Sequence, residues 1–227
     1  MPARALEPAG VALVDKPAGP SSFAIVAQIR RETKARTGHA GTLDPFATGL
    51  LLILSGRATK LAPRLVGLDK RYRTEVDLTA RTSTGDVEGE PIEERDAPDE
   101  AELERRLACL RGDIELPIPA ASAVKIGGVR AYRLARSGVA VEMPVRRSTV
   151  HSLDVLAYTG GLVTLDLRVS SGTYVRAIAN ALGGHCRALR RTEVGPFSVD
   201  DAVPPEQFAP GRLLAEADVL MRVGATP

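Results

Sequence analysis

Histidine and cysteine are both scarce in this chain of 227 residues, which has three of the first and two of the second. His39, His151 and His185 are scattered, and Cys109 and Cys186 stand far apart with no C-x-x-C spacing. Neither a zinc site nor a disulfide framework is indicated. No apolar run approaches the roughly 18 residues that a membrane-spanning helix requires. The opening Met1-Pro2-Ala3-Arg4 lacks the apolar core of a secretory signal, so a cytoplasmic protein without membrane partners is the expectation. No internal repeat is present. Nor is any stretch biased enough to demand disorder beyond a few terminal residues, and 44% hydrophobic content over this length suffices for a full core.

A formal net charge of +2 conceals an uneven distribution. Between Asp86 and Glu104 ten Asp and Glu face Arg95 alone, and the rest of the chain carries 29 Lys and Arg against 18 Asp and Glu, a net of +11. A basic body with one acidic insertion around 86–104 suits a polyanionic ligand whose footprint avoids the insertion. A solvated acidic face on an ordinary protein is the plainer alternative.

Taken in order, residues 11–15 form a short apolar strand, Lys16-Pro17-Ala18-Gly19-Pro20 a rigid turn, and Ser21-Ser22 the cap of a helix over about 22–35. Phe23, Val26, Ile29 and Arg30 recur there at helical spacing, and Arg31, Lys34 and Arg36 leave a basic flank. A loop containing Gly38, His39 and Gly41 leads to a buried strand over 50–54. A short helix is expected over 59–65. Over 70–80 the chain alternates, with Tyr72, Thr74, Val76, Leu78 and Ala80 on the apolar face of a half-buried strand. Residues 86–96 read as loop, and Pro98-Asp99 starts a helix striped by Leu103, Leu107 and Leu110 and closed by Gly112. Pro117-Ile118-Pro119 interrupts the pattern. A second short helix follows Ala131-Tyr132 and ends at Gly138, in a region made basic by Lys125, Arg130, Arg133 and Arg136. Residues 141–158 and 162–170, joined through Thr159-Gly160-Gly161, read as a hairpin. Gly172-Thr173 opens a helix to about 182 with Tyr174 and Arg176 in its first turn, and 211–220 can form a last amphipathic helix. Strands outnumber helices, so the expectation is an N-terminal tail over 1–10 and an α+β single domain over 11–227, built on a mixed, mostly antiparallel sheet flanked by helices.

Asp44 is the acidic residue of the stretch Gly38-His39-Ala40-Gly41-Thr42-Leu43-Asp44-Pro45-Phe46-Ala47-Thr48-Gly49-Leu50-Leu51-Leu52. Pro45 biases it toward extended backbone in a tight loop that feeds the core, which is how a nucleophile or base is presented. An aspartate that only caps a turn would read the same way.

The eight residues from Gly38 to Pro45, followed by Ala47-Thr48-Gly49-Leu50-Leu51, resemble the catalytic motif of the TruB family, the bacterial tRNA pseudouridine-55 synthases. Further stretches resemble that family in order: Asp15-Lys16-Pro17-Ala18-Gly19; Lys70 and Tyr72 with Thr82, Thr84 and Asp86; the segment 122–138; Gly172-Thr173-Tyr174-Val175-Arg176; and Leu189-Arg190-Arg191-Thr192. The resemblance spans about 11–200. Two features depart from it: the segment 182–189 is shorter than the family pattern, and Asn180 stands where an acidic residue is usual. Family members commonly end in an RNA-binding domain of the PUA type, and the expectation from the short stretch after Phe197 is that no such domain is present here.

The resemblance implies the pseudouridine synthase fold and an isomerase that converts uridine 55 of the tRNA T-arm loop to pseudouridine without metal or cofactor, as a monomer. Asp44 would be the nucleophile or the base that removes a ribose proton. Arg176 would pair with it and keep it ionised against desolvation. Tyr72 would stack on the uracil and assist proton transfer at C5, and Tyr174 and Leu189 would line the pocket. His39 would fill the space left by the flipped uridine. Lys16, Lys125, Arg190 and Arg191 would contact phosphate or support the fold, and Lys16 could equally cap the core from its turn. Three other readings compete: an RNA-binding tRNA folding chaperone, the same isomerase chemistry on a different RNA, and an aspartyl-phosphate hydrolase. The last would need further carboxylates, and Asp44 has none within eleven residues on either side.

Overall fold

The computed structural model describes residues 8–137 and 142–224. Its elements in chain order are β1 (Gly10–Lys16), α1 (Ser22–Thr33), β2 (Thr37–Ala40), β3 (Thr48–Ser55), α2 (Ala62–Val66), β4 (Lys70–Asp77), β5 (Ala80–Thr82), β6 (Pro91–Glu94), α3 (Glu100–Ala108) and β7 (Gly112–Pro117). There follow β8 (Lys125–Ile126), β9 (Val129–Arg130), α4 (Ala131–Arg136), β10 (Val145–Thr159), β11 (Leu162–Val169), α5 (Val175–Leu182), β12 (His185–Val194), β13 (Phe197–Ser198) and α6 (Glu216–Arg222). The class is α+β, with mostly antiparallel strand pairing. Two compact units are present, one made of residues up to Tyr72 together with those from Arg190 onward, the other of Arg73–Leu189. Strands β4 and β12 each contribute residues to both.

The first unit is built around β3, whose residues after Thr48 are all buried. Along one edge β1 pairs antiparallel for its whole length, from Gly10 opposite Ser55 to Lys16 opposite Gly49. The other edge is shared. Strand β2 covers Leu52 to Ser55, and β12 runs parallel beside Thr48 and Gly49 through Arg190 and Arg191. The chain leaves β2 at Ala40, loops through residues 41–47 and returns as β3, so that loop opens where β12 takes over the edge. Gly49 is required there: its φ is +103°, and a Cβ would lie 2.2 Å from the Arg191 carbonyl oxygen. Alternation along β3 sends Leu50, Leu52 and Leu54 into a core with Val11, Leu13, Leu65, Val194, Phe197 and Val219. Helix α1 packs against β2 and β3 through Ile25, Val26 and Ile29. It starts where Ser21 accepts from the Ala24 N–H and stops one residue before the left-handed Lys34, whose N–H returns to the Arg30 carbonyl.

In the second unit β10 lies between β11 and β7, antiparallel to both. Gly160 and Gly161, at φ +57° and +84°, make the tight turn from β10 to β11. Val163, Leu165, Leu167 and Val169 of β11 are fully buried, and α5 packs against β7 and α3.

Several expectations are corrected. Residues 86–96 are not loop throughout: Pro91–Glu94 forms β6, a hairpin partner of β5, in which Arg81 stands opposite Glu93. A cross-strand cation offsets the crowded acids there, a pairing that sequence proximity hides. His39 lies in β2, because Thr37–Ala40 finds the free edge of β3. Strand β7 occupies the run between Gly112 and Pro117. The expected helix over 59–65 is a 3₁₀ turn (Gly56–Leu61) followed by α2, and that over 211–220 begins only at Glu216. Tyr174 is the N-cap of α5 and not part of its first turn. The shortened stretch after α5 is a direct exit into β12. Gly183 at φ +94° closes the helix while Gly183 and Gly184 donate to the Asn180 and Ala179 carbonyls. Of the expected tail over 1–10, residues 1–7 lie outside the described residues, as does Gly138. No helix among the described residues is long and apolar enough to cross a membrane.

Candidate active site

Six of the seven peptide carbonyls in the loop 41–47 accept a hydrogen bond from inside the first unit. Arg191 Nη2 donates to the Gly41 carbonyl at 3.0 Å, and its Nη1 lies at the long limit of 3.4 Å from that of Thr42. Ser22 Oγ donates to the Leu43 carbonyl at 2.8 Å and accepts from the Leu43 N–H at 2.9 Å. The Asp44 carbonyl receives the Ala47 N–H at 3.2 Å, and that of Pro45 the Gly19 N–H at 2.9 Å. Lys16 Nζ donates to the Pro45 and Ala47 carbonyls at 3.0 and 2.7 Å and to that of Pro17 at 2.9 Å. The backbone on both sides of Asp44 is therefore fixed, and the half-buried carboxylate is carried on a rigid support.

The two cations that hold the loop are inside the protein. Lys16 is 0% exposed and Arg191 1%, the latter also donating its Nε to the Leu50 carbonyl at 2.8 Å. Neither presents its charge to solvent, so their contacts are with the fold and not with phosphate. A buried cation needs several acceptors to offset its lost hydration, and these carbonyls supply them. Arg190, next in sequence to Arg191, instead grips Asp15 with both η nitrogens, at 3.1 and 2.8 Å. Lys70 Nζ caps the end of α2 by donating to the Val66 and Leu68 carbonyls, both at 2.5 Å. Burial first, and then the neighbouring Arg191, push the Lys70 ammonium down to about 8 despite Asp69. His39 is half-buried on β2, with Phe23 at 5.2 Å ring to ring in an edge-on contact. Its buried Nδ1 has no hydrogen-bond partner among the described residues. Burial and then Arg191 lower its pKa, so the imidazole is neutral at pH 7. Tyr72, at the start of β4, is buried on the apolar face of the strand.

Tyr174, Arg176 and Leu189 belong to the second unit. Arg176 is 3% exposed. Its Nη1 lies 3.2 Å from an Asp86 carboxylate oxygen and 2.8 Å from the Thr84 carbonyl, while Nη2 donates to that of Ala121 at 2.9 Å. Asp86 is itself held by the Thr84 hydroxyl and the Glu88 N–H, at 2.5 and 3.0 Å, and its carbonyl takes the Thr82 hydroxyl at 2.7 Å. Leu189 is buried, Tyr174 half-buried, and Lys125 exposed on β8. Among the described residues no three His, Cys, Asp or Glu side chains converge as a metal-binding group.

Residues 29–175 match the model of the TruB family pseudouridylate synthase (N terminal domain). The chain belongs to that family. It is 44% identical over 217 residues to a tRNA pseudouridine synthase B of Thermobifida fusca (strain YX), spanning 88% of this chain and 74% of the relative. A second tRNA pseudouridine synthase B, from Corynebacterium glutamicum (strain R), is 46% identical over 208 residues, 86% of this chain and 70% of the relative. Among solved structures, a chain of a Cbf5-Nop10-Gar1 complex superposes with a TM-score of 0.66 at 28% identity, over 86% of this chain. The present chain spans about half of that one, 51%. A pseudouridylate synthase with a TM-score of 0.52 and 16% identity, matched over 96% of this chain and 75% of its own, shares the fold. This TruB-family chain is accordingly an RNA pseudouridine synthase, an isomerase of tRNA modification.

Two residues have partners that the sequence did not indicate, one in each unit. Ser22 looks like half of a Ser-Ser cap, yet Ser21 alone caps α1 and Ser22 is turned inward to Leu43. Asp86 was legible only as a motif residue; that it grips Arg176, 90 positions away, has no local signal.

Proposed function

We propose that the chain isomerises uridine 55 in the T-arm loop of tRNA, with Asp44 as the group that attacks the flipped nucleotide or removes a ribose proton. The reaction breaks the C1′–N1 bond, turns the uracil while it stays bound and joins C1′ to C5. N1 ends with a proton and C5 loses one, so the isomerisation needs no outside oxidant or reductant. The observation that carries the reading is the bracing of loop 41–47, since covalent or proton-transfer catalysis depends on a carboxylate held in place before substrate arrives. Arg176 contributes a guanidinium whose orientation the Asp86 carboxylate and two carbonyls fix. Tyr72 faces the uracil and serves proton transfer at C5, Tyr174 and Leu189 border the base, and His39 occupies the position the uridine leaves. As a neutral ring His39 fills that space by shape, without a charge directed at phosphate.

Tritium release from C5-labelled uridine in a T-arm stem-loop, with and without Mg²⁺, tests the reading. Stoichiometric release that is unchanged by chelation supports it. Binding without release identifies an RNA-binding chaperone, and release from other RNAs but not from the T-arm points to a different target.

A further inference from the structure

Phe23 is 69% exposed, and no other Phe or Tyr among the described residues is as open to solvent. A lone exposed apolar side chain needs no explanation by itself. This one has a specific location. Its neighbour Ser22 holds both the N–H and the carbonyl of Leu43, and Leu43 is the neighbour of Asp44. Phe23 and Asp44 thus each lie one residue from the same double hydrogen bond. The Phe23 ring meets that of His39 edge-on, at 79° and 5.2 Å between centroids, and this contact holds the exposed ring in place beside the strand that leads into the braced loop. Arg30, Arg31, Lys34 and Arg36 are exposed on the same helix and just past its end, and supply positive charge to the same unit.

We propose that Phe23 is an RNA-contacting residue, its ring stacking on an unpaired base of the loop that contains the target uridine. The proposal rests on the reading of the chain as a T-arm uridine isomerase. Loop bases of RNA are splayed out and taken up on aromatic faces, and stacking tolerates any base because each has a π-face. A phenylalanine has no hydrogen-bonding group with which to read a base edge. Phe23 therefore contributes affinity and register, and leaves discrimination of uridine to the groups around Asp44.

The chain contains no tryptophan, so Phe23→Trp introduces a single fluorescent reporter. The expected result is a saturable change in its emission on adding T-arm stem-loop. Phe23→Ala and Phe23→Leu should each raise Kd and KM by about tenfold, roughly 1.4 kcal/mol, with kcat held within about twofold. Phe23→Tyr should keep the parent affinity. An unchanged tryptophan signal at saturating RNA, or Phe23→Leu binding as tightly as the parent, overturns the proposal, since leucine keeps the apolar bulk and loses the ring. Tritium release by the unaltered chain separates the two possible failures. Release with no effect at position 23 overturns the stacking role alone, whereas no release from the T-arm overturns the proposed target.

Discussion

Arg176 and Asp86 form an ion pair at 3.2 Å with side chains only 3% and 4% exposed. Removing one member of such a pair leaves the other as a charge in low dielectric, which costs more than the pair contributes when intact. Asp86→Ala should lower stability by about 3–5 kcal/mol, read as a shift of the urea midpoint. Activity should fall as well, because the carboxylate sets the direction of the guanidinium. A variant with wild-type stability would show that the two carbonyls alone hold Arg176.

Asp44→Asn keeps size and removes charge. We expect no detectable pseudouridine, with affinity for the T-arm stem-loop within about tenfold of the parent, a span of roughly 1.4 kcal/mol. Turnover by this variant would remove Asp44 from the chemistry.

Lys16→Met separates support from chemistry, since it leaves Asp44 in place but withdraws the donor from the Pro45 and Ala47 carbonyls. Each buried group left unsatisfied costs about 1–3 kcal/mol. The expected outcome is a lower denaturation midpoint together with a fall in kcat larger than any change in Kd. Unaltered kcat would mean that Gly19, Ser22 and Arg191 suffice to hold the loop.

Lys70 gives a pH dependence of definite sign. Its folded pKa of about 8 lies below the ordinary 10.5. Between those values the unfolded chain keeps a proton that the folded chain has shed, so this contribution to stability grows as pH rises. It is complete above 10.5 and lost as pH falls through about 8. The stability of the parent relative to Lys70→Met should therefore increase from pH 8 to 10, measured by chemical denaturation. A flat difference would place the Lys70 pKa at its ordinary value.

Binding to the stem-loop should weaken steeply with salt, because the chain outside 86–104 carries a net charge of +11 and phosphate neutralisation releases counterions. A titration over a range of KCl gives the slope. Lys16 and Arg191, being buried, should contribute nothing to it, unlike exposed cations such as Arg31 and Lys34.

The sequence by itself determined whatever depends on neighbours a few residues away. Alternation from Lys70 to Asp77 marked which face of β4 is buried, and the glycine pair after Thr159 made a hairpin turn. Of the helical stripe expected on α1, Val26 and Ile29 are buried, while Phe23 and Arg30 are exposed and Ile25 completes the packed face. The motif around Asp44 was long enough to indicate the family. Only the tertiary structure decided which cations serve the fold. Lys16, Arg190 and Arg191 look alike in sequence, yet two are buried against carbonyls and one grips Asp15. Arg191 reaches a carbonyl 150 residues away only because β12 runs parallel to β3 where the loop leaves the edge of that strand. Periodicity records which side of an element is apolar. It does not record which strand lies alongside, and the long-range register of the sheet decides where a charged side chain can find its acceptors.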